Sequence, residues 1–352
     1  MVSTMTPRAS ILIVNYNGWP DIQRCLVSVL QAGHEDDEII VIDNASFDDS
    51  AELISSHFPQ VVLLRSEVNL GFGGANNWGA RVAKGGYLAF LNPDTVVAPG
   101  WLDALIDGLE GSSHVGLATS KILLLNENAT INTCGNDIHL SGLTLCRGMG
   151  KPASSMTRLE KVGAVSGAAF LITAALFETL DGYDEAFFLY MEDTDLSMRA
   201  ALAGYDVVYV PDSVVYHDYA LRFGPDKIYY QERNRYMMLL KIWRWPTLAL
   251  LLPALVLAEI VAWGFVLLRD RKHWFNKVRA YGYLVRHWQE IMERRGRAQA
   301  LRSVSDRELL HRLRFRLEFE QADGGIVSKG AHLVFDPLFY LLQRFLWIAV
   351  RW

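Results

Sequence analysis

The run SILIVNYNGWPDIQRCLVSVLQAGHEDDEIIVID, residues 10–43, decides the fold. Its ends, SILIVNY (10–16) and EIIVID (38–43), are short continuous apolar runs, the pattern of strands buried on both faces. Between them, Pro20 to Ala32 reads as a helix with Ile22, Leu26, Val29 and Leu30 facing inward. The alternation then continues. A helix opens at Ser46/Asp48 and closes near Pro59, VVLLRS (61–66) is a third strand, and a Gly-rich turn leads into a helix around Ala75–Ala83. YLAFLN (87–92), a helix from Gly100 to Glu110, and VGLATSKILL (115–124) extend the series. Apolar strands alternating with amphipathic helices predict an α/β, doubly wound, mostly parallel sheet covered on both faces. Residues 125–162 read as an inserted irregular or antiparallel segment, and no long-period repeat is visible.

At 352 residues and 51% hydrophobic, the chain is long enough for more than one domain. Three cysteines (Cys25, Cys134, Cys146) with no CxxC fit a reducing compartment better than a disulfide framework or a zinc site. MVSTMTPRAS at the N-terminus lacks the charged-then-apolar order of a signal peptide. The net charge of −5 conceals an asymmetry: residues 1–240 carry 15 Lys+Arg against 29 Asp+Glu, and residues 241–352 carry 19 against 10. We therefore expect two modules, 1–240 and 241–352, with different partners. The acidic one suits metal-assisted chemistry and not nucleic acid. The basic one, rich in Trp and Leu, suits an anionic membrane surface, with an ordinary solvated basic face as the alternative.

In such a sheet, ligands bind beyond the carboxyl ends of the strands. Here those ends are polar: Asn15-Tyr16-Asn17, Asp43-Asn44 and Asn92-Pro93-Asp94-Thr95. Each is also acceptable turn chemistry. NLGFGGANN (69–77) lacks the third glycine of a dinucleotide fingerprint and follows the third strand, so it reads as a backbone loop beside a ribose or diphosphate, or as a tight strand-to-helix turn. Asp94 alone can share Mg²⁺ or Mn²⁺ with substrate phosphates, because such ions keep several waters. His217, read as following a strand over Asp206–Val210, is a structural hydrogen-bonder or an imidazole ligand better suited to Mn²⁺. FLYMEDTDL (188–196) places Glu192, Asp193 and Asp195 at a helix start. These are either N-terminal caps or a general base held rigid by that geometry.

Taken together, residues 10–240 resemble the family 2 glycosyltransferases of the GT-A fold, in particular the bacterial rhamnosyltransferase-like branch. The matching stretches are ILIVNYNG (11–18), VIDNASFDDS (41–50), NLGFGGANNWGA (69–80) and FLNPDT (90–95). GYDEAFFLYMEDTDLSMRA (182–200), GYDVVYVPDSVVYH (204–217) and YYQERNRY (229–236) complete the series in order. The resemblance implies a Rossmann-like nucleotide-sugar part over about 1–124 and an acceptor part over about 125–240. By the same resemblance Asn15, Tyr16 and Asn17 lie along the nucleobase, and Asp43 and Asn44 read base or ribose. Asn69, Gly71 and Asn76 line the donor pocket. Asp94 is the metal carboxylate of a DxD-type motif whose first Asp is here Asn92. Asp193 is the base, Glu192 orients it or the acceptor, and His217 touches metal or diphosphate.

These readings combine into an inverting, metal-dependent transfer from a nucleotide sugar to a lipid-linked or polysaccharide acceptor at the cytoplasmic face of a bacterial inner membrane, and the resemblance alone implies dTDP-rhamnose, or else a UDP-sugar, as the donor. One fixed base and one metal site, without a second carboxylate across the bond, predict inversion. The alternatives are a non-catalytic sugar-nucleotide-binding subunit, another nucleotide-sugar donor, and a nucleotidyltransferase, which wants a basic loop that Asn15–Asp21 does not supply. A homo-oligomer is compatible with all of them. In the basic module, WPTLALLLPALVLAEIVAWGFVLL (245–268) is long enough to cross a bilayer, but Glu259 makes insertion marginal, so an in-plane segment fits equally. Trp274, Val278, Tyr281, Val285, Trp288 and Met292 form one helical stripe, and nine Lys/Arg against three acids lie between Arg269 and Arg297. This reads as a cationic amphipathic helix, or as a packing face. LFYLLQRFLWIAV (338–350) reads as interfacial.

Overall fold

The computed structural model describes residues 6–219, 225–269, 271–318 and 326–352. In chain order the first part holds β1 (Ala9–Asn15), α1 (Asp21–Ala32), β2 (Glu38–Asp43), α2 (Ser50–His57), β3 (Val62–Arg65), α3 (Gly71–Val82) and β4 (Tyr87–Leu91). Next come β5 (Thr95–Val97), α4 (Trp101–Glu110), β6 (Val115–Leu124), β7 (Ile131–Thr133), β8 (Asn136–Ile138), β9 (Thr144–Cys146) and β10 (Glu160–Val162). β11 (Ala169–Thr173), α5 (Ala174–Thr179), α6 (Glu192–Leu202) and β12 (Asp206–His217) complete it. A helical series follows: α7 (Pro225–Ile242), α8 (Trp245–Arg269), α9 (Trp274–Arg286), α10 (Trp288–Ala300), α11 (Asp306–His311) and α12 (Ile326–Ala349).

Contacts group the chain into two units. One comprises Met1–Gly135, Arg147–Ala200 and Tyr205–Ala220; the other Asn136–Cys146, Ala201–Gly204 and Leu221–Trp352. The first unit is built on a sheet of order β10-β12-β6-β11-β4-β1-β2-β3, with β5 on β12 and β7 on β6. β1 pairs in parallel with β2 and β4, and β2 with β3. Every residue of β1 is buried, as its unbroken apolar run requires. On one face Ile11, Ile13, Val41 and Leu91 pack with Ile22, Leu26 and Val29 of α1 and Trp101 of α4. On the other face α3 lies close because residue 79 is glycine: a Cβ there would come within 2.7 Å of Ile42 Cδ1.

Two features depart from the sequence reading. β11 enters the sheet between β4 and β6 antiparallel to both, so the sheet is mixed, though mostly parallel. β12 does not stop at Val210 but runs to His217, with its register shifting between Val210 and Val214. A bulge at that shift lets the strand carry Pro211, which lacks a ladder N–H. The expected insertion at 125–162 consists of short strands, and β8 and β9 pair antiparallel.

In the helical unit the stripe expected over 274–292 is not one helix. It breaks at His287 (φ −104°, ψ 26°) into α9 and α10. The apolar run at 338–350 belongs to the longer helix α12. α8 is the one helix among the described residues long and apolar enough to cross a membrane.

Candidate functional site

The carboxyl ends of β1, β2 and β4 bring the predicted polar residues together. Asn15, at the end of β1 and fully buried, donates from Nδ2 to Asp43 Oδ1 (3.1 Å) and Ser46 Oγ (3.2 Å). Ser46 Oγ also accepts from the backbone N–H of Asn17 (2.9 Å), whose Oδ1 accepts from Phe47 N (2.8 Å). Asn17 sits at φ 51°, a region asparagine tolerates. These bonds bring the Tyr16 and Phe47 rings edge to face, 6.2 Å between centroids. Tyr16 is 48% and Phe47 84% exposed, so this aromatic pair presents apolar ring surface to solvent. Phe47 was not singled out in the sequence, and Ser46 was read there as a helix opening, whereas α2 begins at Ser50.

The Gly-rich loop is fixed by its neighbours. Asn44 donates from Nδ2 to Asn69 Oδ1 (3.0 Å) and Gly71 O (3.3 Å), and its Oδ1 accepts from Leu70 N (2.8 Å). Asn69 Oδ1 accepts in addition from Gly71 N (2.9 Å). Gly71 has φ +72° and lies against Phe188, where a Cβ would meet Phe188 O at 2.4 Å. Phe72 N donates to that same carbonyl (2.8 Å). Asn76 turns its amide back to Phe72 O within α3 (3.0 Å). Its neighbour Asn77 reaches outward, donating to Tyr183 O (2.9 Å) and accepting from Tyr183 N (2.8 Å), so it ties α3 to the stretch before α6.

That stretch is strained. Leu189 N donates to Phe187 O (2.7 Å) across Phe188 at φ 61°, ψ −55°, which is a γ-turn of the rare, strained kind. Tyr190 and Met191 follow at φ 67° and 70°. Non-glycine residues in this region mark places where the surroundings over-determine the backbone. Helix α6 starts directly afterwards, with Glu192 and Asp193 in its first turn.

Asp193 is held from two sides. Oδ1 accepts from Thr194 N (2.6 Å) and Thr194 Oγ1 (3.2 Å), and Oδ2 accepts from Gly167 N (2.8 Å). Burial raises its pKa and these donors oppose the rise. Glu192 has a buried Oε2 with no hydrogen-bond partner among the described residues. Burial first, then the charge of Asp193, push it up to about 8. Burial thus raises both adjacent carboxyls, with N–H donors opposing the rise at Asp193 and Glu192 close to neutral at pH 7.

Asp94 and His217 meet because β5, which begins one residue after Asp94, pairs with the end of β12: Thr95 lies opposite His217. His217 Nε2 is 3.3 Å from Asp94 Oδ1, and Asp94 Oδ1 is buried without a hydrogen-bond partner among the described residues. His217 Nδ1 is 3.0 Å from Asn132 Oδ1. In the tautomer whose Nδ1–H donates to Asn132 Oδ1, Nε2 presents its lone pair toward a carboxylate oxygen. Two acceptors facing each other in this way fit a divalent cation. Among the described residues no group of three or more His, Cys, Asp and Glu side chains converges on one metal position. The donor set therefore matches an ion that completes its shell with water and phosphate.

The two halves of the site are close in the chain of contacts. Asn92 N donates to Ala168 O (2.9 Å), and the adjoining Gly167 N is the donor to Asp193. One peptide step therefore separates the strand end carrying Asn92 and Asp94 from the carboxylate on α6.

Comparison with known proteins identifies the family and the fold. The family model for glycosyl transferase family 2 matches residues 10–122, and that for glycosyl transferase family group 2 matches residues 87–289. The chain is 30% identical over 247 residues to an N-acetylglucosaminyl-diphospho-decaprenol L-rhamnosyltransferase of Mycobacterium tuberculosis, covering 63% of this chain and 80% of that one. It is 28% identical over 230 residues to the O-antigen biosynthesis protein RfbC of Myxococcus xanthus, covering 62% of this chain and 18% of the relative. Among solved structures, GalNAc-T7 with UDP, GalNAc and Mn²⁺ aligns at TM-score 0.58 and 22% identity, over 69% of this chain and 49% of that one. S. aureus TarS 1-349 with UDP-GlcNAc aligns at TM-score 0.54 and 14% identity, over 96% and 90%. These likenesses assign the GT-A fold, a mostly parallel sheet here followed by a helical carboxyl-terminal region. With family models spanning its sheet and the first of its helices, the chain belongs to the family 2 glycosyltransferases.

Proposed function

We propose that this glycosyltransferase moves a sugar, L-rhamnose from dTDP-rhamnose in the first instance, onto a lipid-linked saccharide at the cytoplasmic face of a bacterial inner membrane, with inversion. The carrying observation is the pair Asp94 Oδ1 and His217 Nε2, 3.3 Å apart, one without a hydrogen-bond partner and the other aimed by Asn132. Asp94 and His217 would hold Mn²⁺ or Mg²⁺, with Asn92 beside them on the donor side. A cation bound there neutralises the leaving diphosphate as a Lewis acid.

The protein's own groups do the rest. Tyr16 and Phe47 offer a stacking wall to the nucleobase, and Asn15, Asn17, Asp43 and Asn44 hold the turns that carry it. Asn69 and Gly71 allow close approach of the donor, with Asn76 inside the helix they open. Asp193 Oδ2, with one lone pair engaged by Gly167, keeps another to accept the acceptor's hydroxyl proton. Glu192, close to neutral, can donate a hydrogen bond to the acceptor. One base and one metal pair, without a second carboxylate nucleophile, support inversion rather than retention. The choice of rhamnose and of a diphospholipid acceptor rests on the Mycobacterium relative's name.

Nucleotide sugars are screened for transfer and slow hydrolysis with Mn²⁺ and Mg²⁺ separately, using wild type and Asp193→Asn. Metal-dependent turnover of dTDP-rhamnose, lost by about 1,000-fold or more in Asp193→Asn with donor binding retained, is the expected result. Wild-type turnover in that variant removes the base assignment.

A further inference from the structure

The apolar helix α8 carries a carboxylate at its middle, and the way that carboxylate is held decides how the helix meets a membrane. Glu259 Oε1 accepts from Arg235 (2.6 Å) and from Tyr236 Oη (2.6 Å), both on α7. Its Oε2 accepts from Tyr281 Oη (2.5 Å) and lies 2.9 Å from Lys277 Nζ, both on α9. Arg235 and Lys277 in turn pair with Glu232. At its start α8 places Trp245 against Trp288 (6.2 Å between centroids) and under Arg295 (4.4 Å), both on α10. Side chains of three helices, α7, α9 and α10, therefore reach α8 and bring charged groups to it.

The face that adjoins Glu259 is different. Leu252, Val256, Ile260 and Leu267, spaced as one stripe, are between 52% and 59% exposed. They border an open groove of about 580 Å³ whose inner end is Tyr236 and Glu259. α12, packed on α8, adds exposed Leu341, Phe345 and Ile348. Beyond the carboxyl end of α8, exposed Arg271 and Lys272 immediately precede exposed Trp274 and Phe275. Aromatic and basic residues side by side at the border of an apolar face match an anionic headgroup layer.

We infer that α8 lies in the plane of the bilayer surface with the Leu252–Leu267 stripe in the acyl region, and does not cross, the partner being an anionic membrane. A crossing would bring Arg235, Lys277 and Glu232 to the hydrocarbon centre with Glu259, where charged groups are least tolerated, and would pull α7 and α9 in with them. The inference rests on the membrane association contained in the proposed function, and it specifies the mode.

The test uses the full chain in a Cys146→Ser background, with nitroxide labels at Leu252→Cys, Ile260→Cys and Leu267→Cys. The samples are floated with phosphatidylglycerol–phosphatidylcholine vesicles and with phosphatidylcholine vesicles. Flotation about tenfold stronger on the anionic vesicles, with all three labels at a common shallow depth of roughly 5–10 Å, is expected. Arg271→Glu with Lys272→Glu should weaken flotation about fivefold at unchanged melting temperature. A helix that crosses separates labels 252 and 267 by about 20 Å in depth, and that result overturns the inference. Absence of flotation with a concentration-dependent dimer in light scattering also overturns it, and gives the stripe to a second copy. Sugar transfer to a soluble acceptor, assayed on the same samples, reports the enzymatic reading independently.

Discussion

An imidazole is a good metal ligand only when its other nitrogen is committed, and at His217 that commitment comes from Asn132, a residue that nothing in the sequence marked. Asn132→Ala should therefore weaken Mn²⁺ binding about tenfold, measured by calorimetry or by the Mn²⁺ resonance signal, while leaving the fold intact. Nucleotide affinity without metal should not change. At Glu192 the sign of the pH effect is fixed by the direction of its shift. A carboxyl raised from 4.5 to about 8 binds its proton more tightly folded than unfolded, so stability falls as pH rises through that window. Each pKa unit corresponds to about 1.4 kcal/mol, so the wild-type melting temperature should drop by several degrees between pH 5 and pH 8. Glu192→Gln should flatten that slope, as differential scanning calorimetry will show. The types of the site residues were legible because strand-end asparagines and aspartates are rare in apolar runs. Their supporting bonds were not, since Asn77, Asn132 and Gly167 act from elements distant in sequence.

Among the elements, the period of the apolar pattern identified β1 to β4 and β6 and the helices between them. It failed where pairing rather than period decides. β11 has the same apolar character as a parallel strand, and only the contacts of its neighbours make it antiparallel. Pro211 masked the continuity of β12, because a bulge that carries a proline is a property of two strands together. The break at His287 lies inside a stripe that keeps helical spacing on both sides, so spacing alone could not reveal it. Gly71 tests the contact between α3 and the turn at Phe188. Gly71→Ala puts a Cβ within 2.4 Å of a backbone carbonyl at φ +72°, so it should cost about 1–3 kcal/mol and raise the donor's KM. Urea denaturation and steady-state kinetics measure the two effects.

For the molecule as a whole, the excess of acids falls in the sheet unit and the excess of bases in the helical unit. What composition could not convey is that the helical unit has a charged interior of its own. Arg235 and Lys277 are almost completely buried, and each pairs with both Glu232 and Glu259. Ending the chain at Arg244 removes Lys277 and Glu259 and strands the rest. Removing a partner from a buried ion pair costs about 3–5 kcal/mol, so this truncation should give an insoluble or strongly destabilised product, scored by soluble yield and thermal shift.

The γ-turn at Phe188 and the left-handed residues that follow it act as a loaded spring behind the proposed base, Asp193. Glycine at 191 would let the backbone rest where it now is forced, and the variant Met191→Gly should melt higher and turn over more slowly. Heat resistance and speed would then move in opposite directions at a single residue, so a search for a hardier catalyst should leave this bend alone.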